Sequence, residues 1–218
     1  WGGMAIRAYQ TANLTNMLVE NCIATNCTYF YDDGEVQDNS GNVIQNCLFF
    51  ANSNYVINTK SGGFTVKNCS FYGANRCVNV SSSLNAGQTV TVNNCIMHGV
   101  TNYALAATTL GNLVEDYNLG PSRLNVATGA HSLTYGSLLD MRWAHELLNG
   151  GSMLSPFDLA SYSQLINVAG TSPTAKDIRG TAKIGAEREW GAFEYDSTLD
   201  IEAGSGSVKI LPLGRIGL

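Results

Sequence analysis

The sequence predicts an all-β fold of stacked coils, a parallel β-helix, followed by a less regular C-terminal segment. Three observations carry that prediction. A four-residue phrase recurs as Val19-Glu20-Asn21-Cys22, Ile44-Gln45-Asn46-Cys47, Val66-Lys67-Asn68-Cys69 and Val92-Asn93-Asn94-Cys95, with a decayed fifth copy at Val114-Glu115-Asp116-Tyr117. Counted from their last residues, the copies lie 25, 22, 26 and 22 residues apart, within the period of roughly 20–50 residues that marks stacked-repeat folds. The third observation is that like residues hold like places: a β-branched apolar position, a polar one, an Asn or Asp, then Cys or Tyr. Alternation of β-branched and polar residues describes a strand. The Asn breaks it with a sharp bend, because Asn tolerates left-handed backbone angles and its amide can bond the local backbone. One copy is therefore one coil of several short strands, each paired with its counterpart a coil away, and about five to six coils are expected. A leucine-rich repeat has a similar period, but its leucine spacing is absent.

Taken in order, Met4-Ala5-Ile6 gives one apolar strand of an incomplete first coil. After Cys22 the coil becomes irregular, and residues 32–41 carry four of the seven acidic residues found before position 126. This run is expected to project as a solvated turn. Its alternative reading is a calcium site formed by Asp32, Asp33, Glu35 and Asp38, since hard cations take several carboxylate and carbonyl oxygens, although the spacing differs from the ordinary calcium loop. Two residues after the Cys stand Ala24, Phe49, Phe71, Met97 and Leu119, assigned as the inward column of the next strand. Arg76 falls by count where neighbouring copies carry Asn54 and Asn102, at a bend. Near residue 126 the composition shifts: 20 of the 22 Asn precede it, whereas 17 of the 29 charged residues follow. The division expected is coils over 1–135 and a C-terminal segment over 136–218. That segment should hold a helix near 137–149, capped by Ser137 and stopped at Asn149-Gly150, packing on the end or flank of the coils.

Size and charge bound the function. A chain of 218 residues can bury a substantial core as one domain. Its net charge of −5 disfavours nucleic acid and anionic membranes as partners, and no apolar run is long enough to span a bilayer. The chain opens at Trp1 without an initiator Met, so it reads as part of a longer protein with further chain upstream. Six Cys would suit a disulfide framework in a secreted chain. The shared column of Cys22, Cys47, Cys69 and Cys95 instead favours buried free thiols, because directly stacked strands offer poor geometry for a bridge. Four N-x-S/T matches, at Asn13, Asn26, Asn68 and Asn79, follow from an Asn-rich chain.

Asp116-Tyr117-Asn118-Leu119, Leu165-Ile166-Asn167-Val168-Ala169-Gly170, Asp177-Ile178-Arg179-Gly180 and Trp190-Gly191-Ala192-Phe193-Glu194-Tyr195 occur in an order that resembles the C-terminal end of right-handed parallel β-helix proteins, particularly bacterial surface or secreted ones of the "choice-of-anchor" type. Glu189-Trp190 stands where that family carries Asp-Ile. The resemblance implies a pectate-lyase-like solenoid in an extracellular, cell-surface or virion-surface setting. The family mixes lyases, glycosidases, tail spikes and adhesins, so it does not choose among activities.

The residues themselves offer little chemistry. A lyase needs a base and a cation to stabilise developing charge. Lys67 and Arg76 are the weak catalytic candidates, and they fall on different parts of a coil. A glycosidase needs two carboxylates about 5–10 Å apart, yet Asp38 is the only acid between Glu35 and Glu115. Phe50, Tyr72 and His98 follow the inward column and should form an outward aromatic strip, with Ile23, Leu48, Ser70 and Ile96 on the same side. Such a strip marks a contact surface. The expected function is a non-catalytic extracellular β-helix module that presents this strip to a glycan or partner subunit, with homo-oligomerisation open and no cofactor except calcium at the acidic turn. The alternative is the C-terminal part of a polysaccharide lyase or glycosidase, or of a virus tail spike.

Overall fold

The structure, a computed structural model, describes residues 4–7, 14–33, 40–50, 54–60, 62–81, 88–134, 176–178 and 191–192. β1 (Met4–Arg7) opens the chain. A first turn follows as β2 (Leu18–Glu20), β3 (Ile23–Thr25) and β4 (Tyr29–Asp32). The second is β5 (Asn42–Gln45), β6 (Leu48–Phe50) and β7 (Tyr55–Thr59). The third is β8 (Phe64–Lys67), β9 (Ser70–Tyr72) and β10 (Arg76–Val80), and the fourth β11 (Val90–Asn93), β12 (Ile96–His98) and β13 (Leu105–Ala107). β14 (Leu113–Asp116), β15 (Leu119–Gly120), β16 (Arg123–Leu124) and β17 (Leu133–Thr134) complete the described strands.

Every third strand joins the same sheet. Sheet A has the order β1-β4-β7-β10-β13-β16, sheet B β2-β5-β8-β11-β14, and sheet C β3-β6-β9-β12-β15-β17. Each described pairing is parallel, as in Val66↔Val92 and Phe49↔Phe71. The expected parallel solenoid is therefore present, with about four turns between the first and last strands of sheet B. The expected helix near 137–149 lies outside the described residues. No helix among the described residues is long and apolar enough to cross a membrane.

The Asn column makes the corner between sheets B and C. Asn21, Asn46, Asn68 and Asn94 have φ of 55°, 52°, 49° and 56°, the left-handed region that Asn tolerates better than other side-chain-bearing residues. Behind the corner Ile44, Val66 and Val92 point inward from sheet B, and Phe49, Phe71 and Met97 from sheet C. Phe49 and Phe71 stack at 4.9 Å. Burying each such side chain contributes about 1.5–3 kcal/mol. Cys47, Cys69, Cys77 and Cys95 are fully buried and all six Cys are free. The thiols of Cys47, Cys69 and Cys95 donate to the carbonyl two residues back, at 3.1, 3.3 and 3.2 Å. Hydrogen bonding to Cys69 and burial push the Cys47 thiol far above its ordinary value, and burial does the same at Cys69 and Cys77.

Two register expectations are corrected. In the fifth copy Glu115, not Val114, pairs with Val92, and Asp116 pairs with Asn93. Tyr117 takes the left-handed corner at φ 56°, so Asn118 falls in the Cys column and Leu119 pairs with Ile96 rather than Met97. Val114 is left exposed while Glu115 is buried. The second correction is at Arg76, which pairs with Tyr55 and not with Asn54. Eight residues separate Cys47 from Tyr55 and seven separate Cys69 from Arg76, so the turn between sheets C and A differs by one residue and counting from the Cys misplaces the strand.

Candidate functional site

The outer side of sheet A gathers polar and aromatic side chains apart from the apolar core cluster. In β4, Phe30 and Tyr31 both turn inward: Phe30 meets Phe49 of sheet C at 4.8 Å, and Tyr31 meets Phe64 of sheet B at 5.1 Å. The residues flanking such a pair, Tyr29 and Asp32, are then left on the outer side. The register repeats this in β7 and β10, so Tyr55 pairs with Arg76, and Asp32, Asn58 and Asn79 form a second column. The Tyr29 and Tyr55 rings meet edge to face at 5.9 Å and 80°, and the guanidinium carbon of Arg76 lies 4.9 Å from the Tyr55 ring centre. Tyr29, Tyr55 and Arg76 are each half-buried.

A hydrogen-bond ladder ties the two columns together. Arg76 Nη1 donates to Asn79 Oδ1 at 2.7 Å, Asn79 Nδ2 to Asn58 Oδ1 at 2.7 Å, and Asn58 Nδ2 to Asp32 Oδ1 at 2.9 Å. Asn54 Nδ2 donates to the Tyr29 hydroxyl at 2.9 Å. The cation–π contact and the ladder together hold the half-buried guanidinium in one place, with its Nε buried.

The aromatic strip of sheet C is arranged differently. Phe50 and Tyr72 stack at 5.4 Å and 15°, and Tyr72 and His98 at 5.1 Å and 7°. Phe50 and Tyr72 are half-buried, whereas Phe49 and Phe71 are fully buried. His98 is buried as well, and burial pulls its imidazole down to about 4. Leu48, Ser70 and Ile96, expected on the open side, are buried. The described residues of the C-terminal segment reach this flank: Gly191 N–H donates to Asn94 O at 2.7 Å, and Ala192 N–H to Ser70 Oγ at 3.0 Å. Ile178 N–H bonds Ala192 O at 2.9 Å, and Asn46 Nδ2 donates to Lys176 O at 2.6 Å. Gly191 has φ 91°, and a Cβ there would stand 2.7 Å from Ser70 Oγ and 2.9 Å from Ile96 Cδ1.

The remaining sequence candidates are dispersed. Lys67 projects from sheet B in register with Gln45 and Asn93, on a different sheet from Arg76. Asp32 belongs to the ladder. Asp33 is buried, accepting from Lys60 N–H at 2.7 Å and from the Thr59 hydroxyl. Glu35 and Asp38 lie outside the described residues. Among the described residues no three His, Cys, Asp or Glu side chains are grouped to hold a metal ion.

A fourth cluster, missed in the sequence because the fifth copy slips by one, closes the C-terminal end. Glu115 occupies an inward position that is Val or Ile in earlier coils. Its Oε1 accepts Gly129 N–H at 2.8 Å and faces Arg123 Nε at 2.9 Å. Its Oε2 accepts from Asn118 Nδ2 at 2.7 Å and Ser132 Oγ at 2.6 Å. Asn118 Nδ2 also reaches Val92 O at 2.7 Å. A buried carboxylate with this many donors is a satisfied plug for the open end of a solenoid. Outside it, Asp116 Oδ2 lies 2.8 Å from His131 Nδ1, and the His131 ring stacks on Tyr117 at 4.4 Å. Burial alone would raise the Asp116 carboxyl, but hydrogen bonds from His131 and Tyr117 outweigh it and hold it below its ordinary value.

Of these clusters, the plug is internal and the sheet C strip lies beside the chain's own C-terminal segment. Sheet A carries the half-buried Tyr29, Tyr55, Asn58 and Arg76 together on one outer side, beside the buried Asp32 and Asn79. A family model described as "Right handed beta helix region" matches residues 1–118. No curated protein and no solved structure matches the chain.

Proposed function

The chain belongs to the right-handed β-helix family, and on that premise we propose that it is a non-catalytic extracellular module that binds a glycan along the outer face of sheet A. The observation that carries this reading is the column of Tyr29, Tyr55 and Arg76 beside the amide column of Asn58 and Asn79. Sugars present apolar C–H faces that lie on aromatic rings and hydroxyls that pair with amides, and ligand sites combine such surface with a few placed polar groups. The sheet C strip supports glycan binding less well. Its rings spend their faces on one another and offer mainly edges, and Phe50, Tyr72 and His98 each have further interactions besides these stacks.

The non-catalytic part of the reading rests on the separation of Lys67 from Arg76 and on the engagement of Asp32 in the ladder. The extracellular part rests on the resemblance of the tail motifs to secreted and surface proteins, and fractionation of the producing cells tests it. Binding is tested by titrating pectate, alginate and neutral polysaccharides calorimetrically, with and without calcium, while assaying unsaturated uronates and reducing ends. Binding that is lost in Tyr55→Ala, without product release, is the expected result. Turnover abolished by Lys67→Ala or Arg76→Ala would replace this reading with that of a lyase or glycosidase.

A further inference from the structure

Beyond the fifth coil a loop replaces a strand. After β16 the chain runs through residues 125–132 before β17 joins sheet C, and among the described residues sheet B gains no strand after β14. The loop lies against β14, the end strand of that sheet. Gly129 packs so closely there that a Cβ would collide with Glu115 O and stand 2.8 Å from Asp116 Cα. Yet the bonds described between loop and strand are not those of a ladder. Gly129 N–H donates to Glu115 Oε1 at 2.8 Å, and Ser132 Oγ to Glu115 Oε2 at 2.6 Å. His131 N–H donates to Asp116 Oδ1 at 2.9 Å, and its ring Nδ1 lies 2.8 Å from Asp116 Oδ2. All four end on carboxylate oxygens. Apolar packing adds little, since within residues 125–132 only Val126 reaches the core cluster.

We propose that residues 125–132 form an acid-released cap, held on β14 while Glu115 and Asp116 are ionised and let go when they are protonated. A protonated carboxyl must donate as well as accept. The described partners of Asp116 are the Tyr117 N–H, the His131 N–H and the His131 ring, so once that ring is protonated a proton on Asp116 meets only donors. Glu115 faces Gly129 N–H, Asn118 Nδ2 and Arg123 Nε, and of its partners only Ser132 can turn to accept. The charged and titratable groups around the pair are Arg123 from β16, Tyr117 and His131 from the corner and the loop, and Cys95, whose N–H bonds Asn118 Oδ1. Lys67 stands two strands away in the Asp116 column. Protonating His131 beside an ionised Asp116 tightens their pair, so mild acid leaves the cap closed. Burial raises the Asp116 carboxyl, but hydrogen bonds from His131 and Tyr117 outweigh this and hold it below its ordinary 3.8. Its contribution is therefore present above pH 3.8 and is lost as the pH falls through the lower folded value. Release bares the end strand of a sheet, the place where a further strand can pair.

Hydrogen exchange of the whole chain tests this, each amide rate being taken relative to its intrinsic rate at the same pH. A His98→Phe background removes the general acid destabilisation expected from that buried ring. Between about pH 6 and about pH 3 the Gly129 and His131 amides lose protection about tenfold or more, one pKa unit being a factor of ten. The Ser70 and Ile96 amides, bonded to Cys47 O and Cys69 O, keep theirs. Asp116→Asn, on the half-buried outer side, shows low His131 protection already at about pH 6 and little further change in acid. Glu115→Gln does the same at Gly129, and the outer variant decides alone if the inner one does not fold. Cap protection that is unchanged down to about pH 3 would overturn the inference. Equal loss at Ser70 and Ile96 would overturn it too, because acid would then unfold the solenoid as a whole. So would an acid response at His131 that survives in Asp116→Asn.

Discussion

On sheet C, Phe50, Tyr72 and His98 lie nearly parallel on consecutive coils and stack face to face. On sheet A, Tyr29 and Tyr55 meet edge to face, and the third coil supplies Arg76 where a ring would continue the stack. Both columns come from the same repeat and project from parallel strands. What separates them is the neighbouring column. Beside the sheet C rings stand the buried Leu48, Ser70 and Ile96, the last two where Gly191 and Ala192 come down. Beside the sheet A rings stand Asp32, Asn58 and Asn79, which bond one another. The sheet C column becomes a seam for the chain's own backbone, whereas the sheet A column keeps Tyr29, Tyr55, Asn58 and Arg76 half-buried beside the buried Asp32 and Asn79. The contrast predicts that sheet C substitutions cost stability and sheet A substitutions cost binding.

The largest expected effect is the pH response of His98. Its folded-state pKa, about 4, lies below its ordinary 6.5 because burial disfavours the charged ring. The unfolded chain therefore binds the proton more tightly. The neutral ring's contribution is complete above about pH 6.5 and declines as the pH falls toward 4, by about 3 kcal/mol in all. Denaturant unfolding of the native chain and of His98→Phe across this range isolates the effect. The native chain should lose that much more stability than the variant. Equal slopes would mean that the ring is reached by water.

Next is Tyr72→Ala. The ring is sandwiched between Phe50 and His98 but only half-buried, so the loss should be about 2 kcal/mol, below the 3–5 typical of fully buried aromatics. A midpoint shift in urea at unchanged slope would show it. A neutral result would place this strip with the sheet A surface and dissolve the contrast.

The sequence made the repeat, the corner and the core legible because their chemistry is local. Asn at each corner answers a positive φ, and the apolar positions answer the pleat. It misread the strands wherever one residue was gained or lost. Val114-Glu115-Asp116-Tyr117 keeps the apolar–polar order of the phrase with Asp in place of Asn, yet pairing sets Glu115 in the inward column. Nothing adjacent to Glu115 announces this. Its partners Arg123, Gly129 and Ser132 follow at distances set by the end of the solenoid and not by the repeat. The sheet A site was hidden for a related reason. Arg76 counted as a bend residue because the preceding turn is one residue shorter than in the coil before. The Asp32–Asn58–Asn79 column, spaced 26 and 21 residues apart, departs from a constant period by the same slips. The signal that could have found it was Tyr29, Tyr55 and Arg76 each standing three residues before Asp32, Asn58 and Asn79.

A third prediction probes the seam itself. Gly191 adopts φ 91° and leaves no room for a Cβ against Ser70 Oγ and Ile96 Cδ1. Gly191→Ala adds a left-handed backbone penalty of about 1–2 kcal/mol, together with displacement of the Gly191–Asn94 and Ala192–Ser70 bonds. Hydrogen exchange should report it as faster exchange at the Gly191 and Ala192 amides, with the β8–β11 amides unchanged. Loss of protection throughout sheet B would show that this contact holds the whole solenoid and not one flank.

The smallest effect on stability, and the sharpest on function, is expected at Tyr55. Its ring contacts Tyr29 and the Arg76 guanidinium and takes no part in the core cluster. Removing it forfeits one edge-to-face contact and one half-exposed cation–π contact, worth about 0.5–1.5 and about 0.5–1 kcal/mol at most. Part of that returns as the guanidinium is rehydrated, so Tyr55→Ala should unfold within about 1 kcal/mol of the native chain. Glycan binding should fall to the limit of detection, because the variant keeps the ladder but lacks the aromatic platform beside it. Tyr72→Ala gives the mirror image, reduced stability with binding retained for the molecules that stay folded. Measured side by side, the pair separates a seam from a surface. If Tyr55→Ala destabilises as much as Tyr72→Ala and leaves binding intact, sheet A is a second seam and the ligand lies elsewhere.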